Sequence, residues 1–110
     1  MINWEDFEKI DMRVGTIQKA EVFEKARKPA YKLWIDFGNE IGVKKTSAQI
    51  TNLYSPEELI NKQIIAVVNF PPKQIADFMS ECLVMGVYNK NGDVILINPN
   101  LPTENGNKIG

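Results

Sequence analysis

The 110-residue chain is 44% hydrophobic and 25% charged with a formal net charge of −1, the size and balance of one folded domain rather than of a disordered segment. It has no histidine and a single cysteine, Cys82, which excludes Ser-His-Asp and Cys-His catalysis, the common zinc sites and an internal disulfide. No apolar run approaches the ~20 residues that span a bilayer, and the acidic start Met1-Ile2-Asn3-Trp4-Glu5-Asp6 is unlike a signal peptide, so the expectation is a cytoplasmic protein without membrane insertion, catalytic machinery, metal or cofactor.

The first element is a short helix over Asn3 to Lys9. Asn3 caps it, Asp6 takes the third helical position, and Trp4, Phe7 and Ile10 fall three apart on one side. Arg13-Val14-Gly15-Thr16-Ile17 then opens an extended segment that runs to about Phe23, with Gly15 marking a bulge or a bend of the kind barrels use at corners. Lys32 to Phe37 alternates an apolar face (Leu33, Ile35, Phe37) with an amphipathic one (Lys32, Trp34, Asp36), which is strand patterning. Gly38-Asn39-Glu40 supplies a turn, and Val43 to Ile50 returns as the partner strand. Ser55-Pro56-Glu57-Glu58 starts a brief helix ending near Asn61, with a capping residue, a proline at the first position and a capping box. Ile64-Ile65-Ala66-Val67-Val68 reads as a strand buried on both sides and stopped by Pro71-Pro72. Cys82 to Tyr88 is a further strand, turned at Asn91-Gly92 into Asp93–Ile97. The tail from Asn98 is rich in Pro, Asn and Gly and is expected to lie extended, with Leu101 and Ile109 available as anchors.

Five strands with a short helix between the third and fourth follow the order of an OB barrel. The fold class expected is all-β, one domain over residues 1–110: a helix at 3–9, a five-stranded OB-fold barrel over about 12–97 and a tail at 98–110.

Charge is unevenly placed. Residues 25–45 carry six basic side chains (Lys25, Arg27, Lys28, Lys32, Lys44, Lys45) against two acidic ones, whereas acidic residues exceed basic ones on either side. Such a segment reads either as a phosphate-attracting stripe or as an ordinary solvated face.

Several motifs resemble one family. Asp11-Met12-Arg13-Val14-Gly15-Thr16-Ile17 resembles the opening of the tRNA-binding domain family, found in methionyl- and phenylalanyl-tRNA synthetases and in free-standing tRNA-binding proteins. Lys28-Pro29-Ala30 followed by Leu33-Trp34 is similar to its next loop and strand, Asn69-Phe70-Pro71-Pro72-Lys73 to its proline turn, and Ser80-Glu81 to its last motif. Ser47-Ala48-Gln49-Ile50-Thr51, Ile60-Asn61-Lys62-Gln63, Gly92-Asp93-Val94 and the closing Asn105-Gly106-Asn107-Lys108-Ile109-Gly110 resemble a branch of that family described as homodimeric chaperones for secretion. Lys28, Ala48 and Cys82-Leu83 depart from the family pattern near its nucleic-acid face.

The resemblance implies an OB module whose partners are tRNA or other structured RNA, with unfolded preproteins and the export machinery as the alternative, acting as a homodimer. Candidate nucleic-acid contacts are Lys28, Lys32, Lys44, Lys45 and Lys73 for phosphates, with Asn69 and Ser80 for polar contacts. Trp34 either stacks a base, covers a dimer interface or packs on the N-terminal helix. Phe78 and Met79, apolar in a rim loop, either capture peptide or pack onto the barrel. Trp4, Phe7 and Ile109 are the candidate dimer contacts, Cys82 reads as an inert core thiol, and Asp77 and Glu81 are not read as a catalytic pair.

Overall fold

The computed structural model describes all 110 residues. After helix α1 (Trp4–Glu8), strands β1 (Met12–Val22), β2 (Tyr31–Asp36) and β3 (Val43–Ala48) form an antiparallel meander, with a single helical turn α2 (Gly38–Ile41) at the β2–β3 corner. Helix α3 (Pro56–Leu59) leads into β4 (Gln63–Val67), followed by hairpin strands β5 (Lys73–Ile75) and β6 (Phe78–Ser80), then β7 (Leu83–Val84), β8 (Gly86–Tyr88) and β9 (Val94–Leu96). The main sheet runs β3-β2-β1-β4-β7. Its two edges approach each other where Lys45 O accepts from Glu81 N at 2.8 Å and Cys82 O accepts from the Thr46 hydroxyl at 2.7 Å. The result is the nearly closed, all-β OB barrel that the strand order implies.

The core follows from alternation. Leu33, Ile35 and Phe37 from β2 and its end, Ile17 from β1 and Ile64 from β4 are fully enclosed, and Leu59 of α3 plugs one end. Both expected helix starts carry complete capping boxes, Asn3 with Asp6 and Ser55 with Glu58, which satisfies N–H groups that a short helix otherwise leaves unpaired.

Three local expectations need correction. The register shift in β1 falls between Ile17 and Lys19, not at Gly15. Gly15 is instead a point of close packing, since a Cβ there would lie 2.6 Å from Ile35 and 2.7 Å from Phe37. The Phe70–Glu81 segment, expected as a rim loop, contains the β5–β6 hairpin, turned at Ala76 with a positive φ of 52°. The continuous strand expected over Cys82–Tyr88 divides at Met85, whose N–H turns to Ile65 O while Ile97 N–H bonds Met85 O.

The tail is tied down by backbone pairing more than by its apolar residues. Val14 exchanges hydrogen bonds with Asn107 and Gly106, and Ile109 N–H reaches Met12 O at 2.9 Å. The tail thus occupies the flank of β1 that β2, paired only from Thr16 onward, leaves open. Leu101 is exposed, and Ile109 is half-buried.

Candidate nucleic-acid interface

Cross-strand pairing sorts the lysines. Trp34 stands opposite Lys45 on β3 and Lys19 on β1, so these three side chains share the outer face of the sheet. Lys44 pairs with Ile35, a core residue, and so belongs to the opposite face, half-buried at the barrel end. Two of the expected phosphate contacts, Lys32 and Lys45, therefore lie together, and Lys44 is separated from them.

Under these lysines sits a small second core. Phe23, Ala30 and Phe78 are buried together, with Trp34, Ile75 and Ala26 packed around them. Phe78 meets Phe23 edge-on at 5.5 Å and Trp34 at 5.8 Å. Lys19 Nζ lies 4.6 Å from the Trp34 ring, Lys32 Nζ 4.9 Å from Phe23 and 5.1 Å from Phe78, and Lys45 Nζ 5.1 Å from Phe78. Aromatic faces carry negative quadrupole potential and hold the ammonium groups without neutralising them. Lys19 is paired with Glu21 at 3.6 Å, whereas Lys32 and Lys45 make no ion pair. Lys19 was not among the residues expected here; its position opposite Trp34 depends on the β-bulge, which sequence pattern does not locate.

The hairpin that carries Phe78 is latched from both sides. Lys25 in the β1–β2 loop binds Asp77 at 2.9 Å, and this hydrogen bond raises the lysine pKa and lowers that of the carboxylate. On the other side Ser80 Oγ accepts from Ser47 N–H at 3.1 Å, and Glu81 Oε1 accepts from Lys45 N–H at 3.0 Å.

The remaining expected residues scatter. Phe78 takes the packing alternative, because β6 alternation turns it inward at 6% exposure and turns Met79 outward. The Asn69 amide is engaged: its oxygen accepts from Asp11 N–H and its nitrogen donates to Lys9 O, locking the end of α1 onto the end of β4. Lys28 and Lys73 are exposed at two separate rims. Trp34 is packed against Phe78 and not against α1. Trp4 lies 5.4 Å from Phe7 and is 67% exposed. Sequence reasoning missed a second apolar surface: Val87 and Ile95 are exposed and form a cross-strand pair on the outer side of β8–β9. Cys82 is buried, and desolvation pushes its thiol up to about 12.

Comparison with known proteins adds three findings. A family described as "Putative tRNA binding domain" matches residues 12–108. A methionine–tRNA ligase of Flavobacterium johnsoniae is 34% identical over 106 residues, 96% of this chain and 14% of the ligase, so the chain spans about one-seventh of that relative's length. Two solved structures, the chaperone CsaA of Bacillus anthracis and that of Picrophilus torridus, superpose with TM-scores of 0.94 at 55% and 58% identity. They cover 100% of this chain and 99% and 100% of their own.

Proposed function

The chain belongs to the tRNA-binding domain family, and on that premise we propose that it is a non-catalytic module that binds structured RNA, tRNA foremost, through the lysine-topped aromatic face of β1–β3. The observation that carries this reading is the pair Lys32 and Lys45, cations held over Phe23 and Phe78 with no carboxylate at salt-bridge distance, although Glu21 stands across the sheet from Lys32. Phosphate contacts of this kind supply affinity and position but little base specificity, and RNA double helices are recognised mainly by shape and backbone. Imidazole and thiol catalysis are left without candidates, since the chain has no histidine and its one thiol is buried and held protonated. A cytoplasmic location suits such a module.

Fluorescence anisotropy with labelled tRNA across a salt series tests the proposal. Binding that weakens steeply with salt is expected; affinity no better than that of an unrelated acidic protein, without salt dependence, refutes it.

A second reading is favoured by the likeness to the two CsaA chaperones: capture of extended apolar segments of export precursors. Met79, 39% exposed on the β5–β6 hairpin, is its contact residue, whereas Phe78 belongs to the fold. Suppression of client aggregation that is weakened by Met79→Ser supports it, and identical behaviour of the two proteins counts against it. Either role suits a homodimer, which doubles the binding surface by two-fold symmetry. Trp4, Phe7 and Ile109, with the apolar outer side of β8–β9, are its interface, and a monomeric mass in sedimentation at micromolar concentration argues against it.

A further inference from the structure

Between the end of β3 and the β8–β9 hairpin the barrel wall stays open, leaving a groove of about 600 Å³, inside the range of roughly 300–1,000 Å³ typical of small-ligand sites. Its walls are apolar, with Ile50, Val94 and Leu96 among them.

The backbone along this gap is poorly suited to adding a peptide strand. Lys45 N–H and C=O are both taken by Glu81, Ser47 N–H by Ser80 Oγ at 3.1 Å, and Leu96 N–H by the Tyr54 hydroxyl at 3.0 Å. Strand addition needs a run of free main-chain groups, which the occupied Lys45 and Ser47 positions interrupt. Recognition must then come from side chains. Phe70 and Tyr88 line the groove while remaining 54% and 77% exposed, and they belong to neither core. The sole formal charge among the lining residues is that of Lys73. Ser47 joins the groove to the cationic face, because it lines the former and stands opposite Lys32 in the sheet.

An apolar slot with exposed aromatic rings, one cation and no carboxylate complements a flat aromatic ring bearing a negative charge. We propose that the groove receives one unpaired nucleotide of a bound RNA, its base against Phe70 and Tyr88 and its phosphate at Lys73. This rests on the RNA-binding reading but on different residues. The pocket adds discrimination between paired and unpaired RNA that the phosphate-contacting face does not provide.

The test uses two RNAs, a fully paired duplex and the same duplex with a single bulged adenosine, together with adenosine monophosphate titrated by NMR. Tyr88→Ala and Phe70→Ala alter exposed side chains, and circular dichroism checks their fold. The bulged RNA is expected to bind more tightly. Each variant loses about tenfold on it, the scale of one stacking contact, with no change on the duplex. Adenosine monophosphate shifts the amide signals of Gly86, Tyr88 and Val94. Equal affinity for the two RNAs, unaffected by either variant, overturns the pocket and leaves RNA binding standing. Groove signals unmoved by the mononucleotide overturn it as well, as do signals moved only by an apolar peptide. Groove shifts without binding of either RNA sink the RNA-binding reading instead and keep a mononucleotide site.

Discussion

Replacing Lys32 and Lys45 together by Gln removes two cations from the outer face while keeping polar side chains only one atom shorter. Each phosphate contact contributes roughly 0.9 to the slope of log affinity against log salt on a duplex. That corresponds to about fivefold in affinity per lysine near 0.15 M salt and about twofold near 0.5 M. The double variant therefore loses about 30-fold near 0.15 M but only about fourfold near 0.5 M, and its slope falls by roughly 1.8. Both ammonium groups sit over Phe78, Lys32 also over Phe23, and such contacts are worth about 0.5–1 kcal/mol each at exposed sites. A small drop in thermal midpoint is expected alongside, well inside the 5–15 kcal/mol or so that holds a domain together.

Anisotropy with tRNA at four or five salt concentrations measures both terms, and Lys44→Gln is the internal control. Lys44 pairs with Ile35 on the opposite face, so its removal leaves the slope nearly unchanged. Parallel salt plots for the double variant and the parent, or a larger effect from Lys44 than from the pair, refute placement of the RNA on this face.

Gly15→Ala forces a methyl to within 2.6 Å of Ile35 and 2.7 Å of Phe37 and is expected to destabilise by about 1–3 kcal/mol, read as a lower urea midpoint; an unchanged midpoint would falsify the packing argument. Deleting residues 105–110 strips the hydrogen bonds between the tail and Met12 and Val14 and opens the flank of β1, with a loss of about 2–4 kcal/mol and a tendency to aggregate through the freed edge. Cys82 should resist thiol reagents at pH 8 until the protein unfolds, and labelling of the folded protein at the rate of a free thiol contradicts its burial. Because its folded pKa is raised from 9.0 to about 12, the folded state holds the proton more tightly than the unfolded one. The stabilisation is complete below about pH 9 and is lost as pH rises toward 12, so Cys82→Ala should flatten that part of the stability–pH curve.

Much of the barrel was legible because its signals are local. The alternation of Leu33, Ile35 and Phe37 and the Ser55–Glu58 box determine their own surroundings within a few residues. What escaped depends on partners far away in the chain. The β5–β6 hairpin has strands of three residues, too short for a period, and turns at Ala76 rather than at a glycine or asparagine. The tail has no apolar pattern because its bonds to β1 are made by the backbone. Candidate site residues suffered for a related reason: a polar side chain near a rim looks the same in sequence whether it meets a ligand or, like Asn69, holds two backbone segments together. Lys19 joined the interface only through the register that the bulge after Ile17 sets.

The net charge of −1 does not speak against RNA, because the two signs do different work here. Several carboxylates are committed to local structure: Asp6 and Glu58 close capping boxes, Asp11 holds Arg13 at 2.6 Å, and Glu81 takes the Lys45 amide. Lys32 and Lys45 sit over the aromatic rings of the outer face and make no salt bridge. At physiological salt, charges more than about 8 Å apart are largely screened, so a phosphate on the β1–β3 face responds to the nearby lysines and hardly to the sum over the molecule. The same screening limits long-range steering, since a nearly neutral protein presents little field at a distance. Association with tRNA is therefore expected at an unsteered rate of about 10⁵–10⁷ M⁻¹s⁻¹, with the Lys32 and Lys45 replacements acting mainly on dissociation. Stopped-flow fluorescence measures both rates. An association rate near 10⁸–10⁹ M⁻¹s⁻¹ that collapses on adding salt is the signature of strong steering, and it contradicts a local face on an otherwise balanced surface.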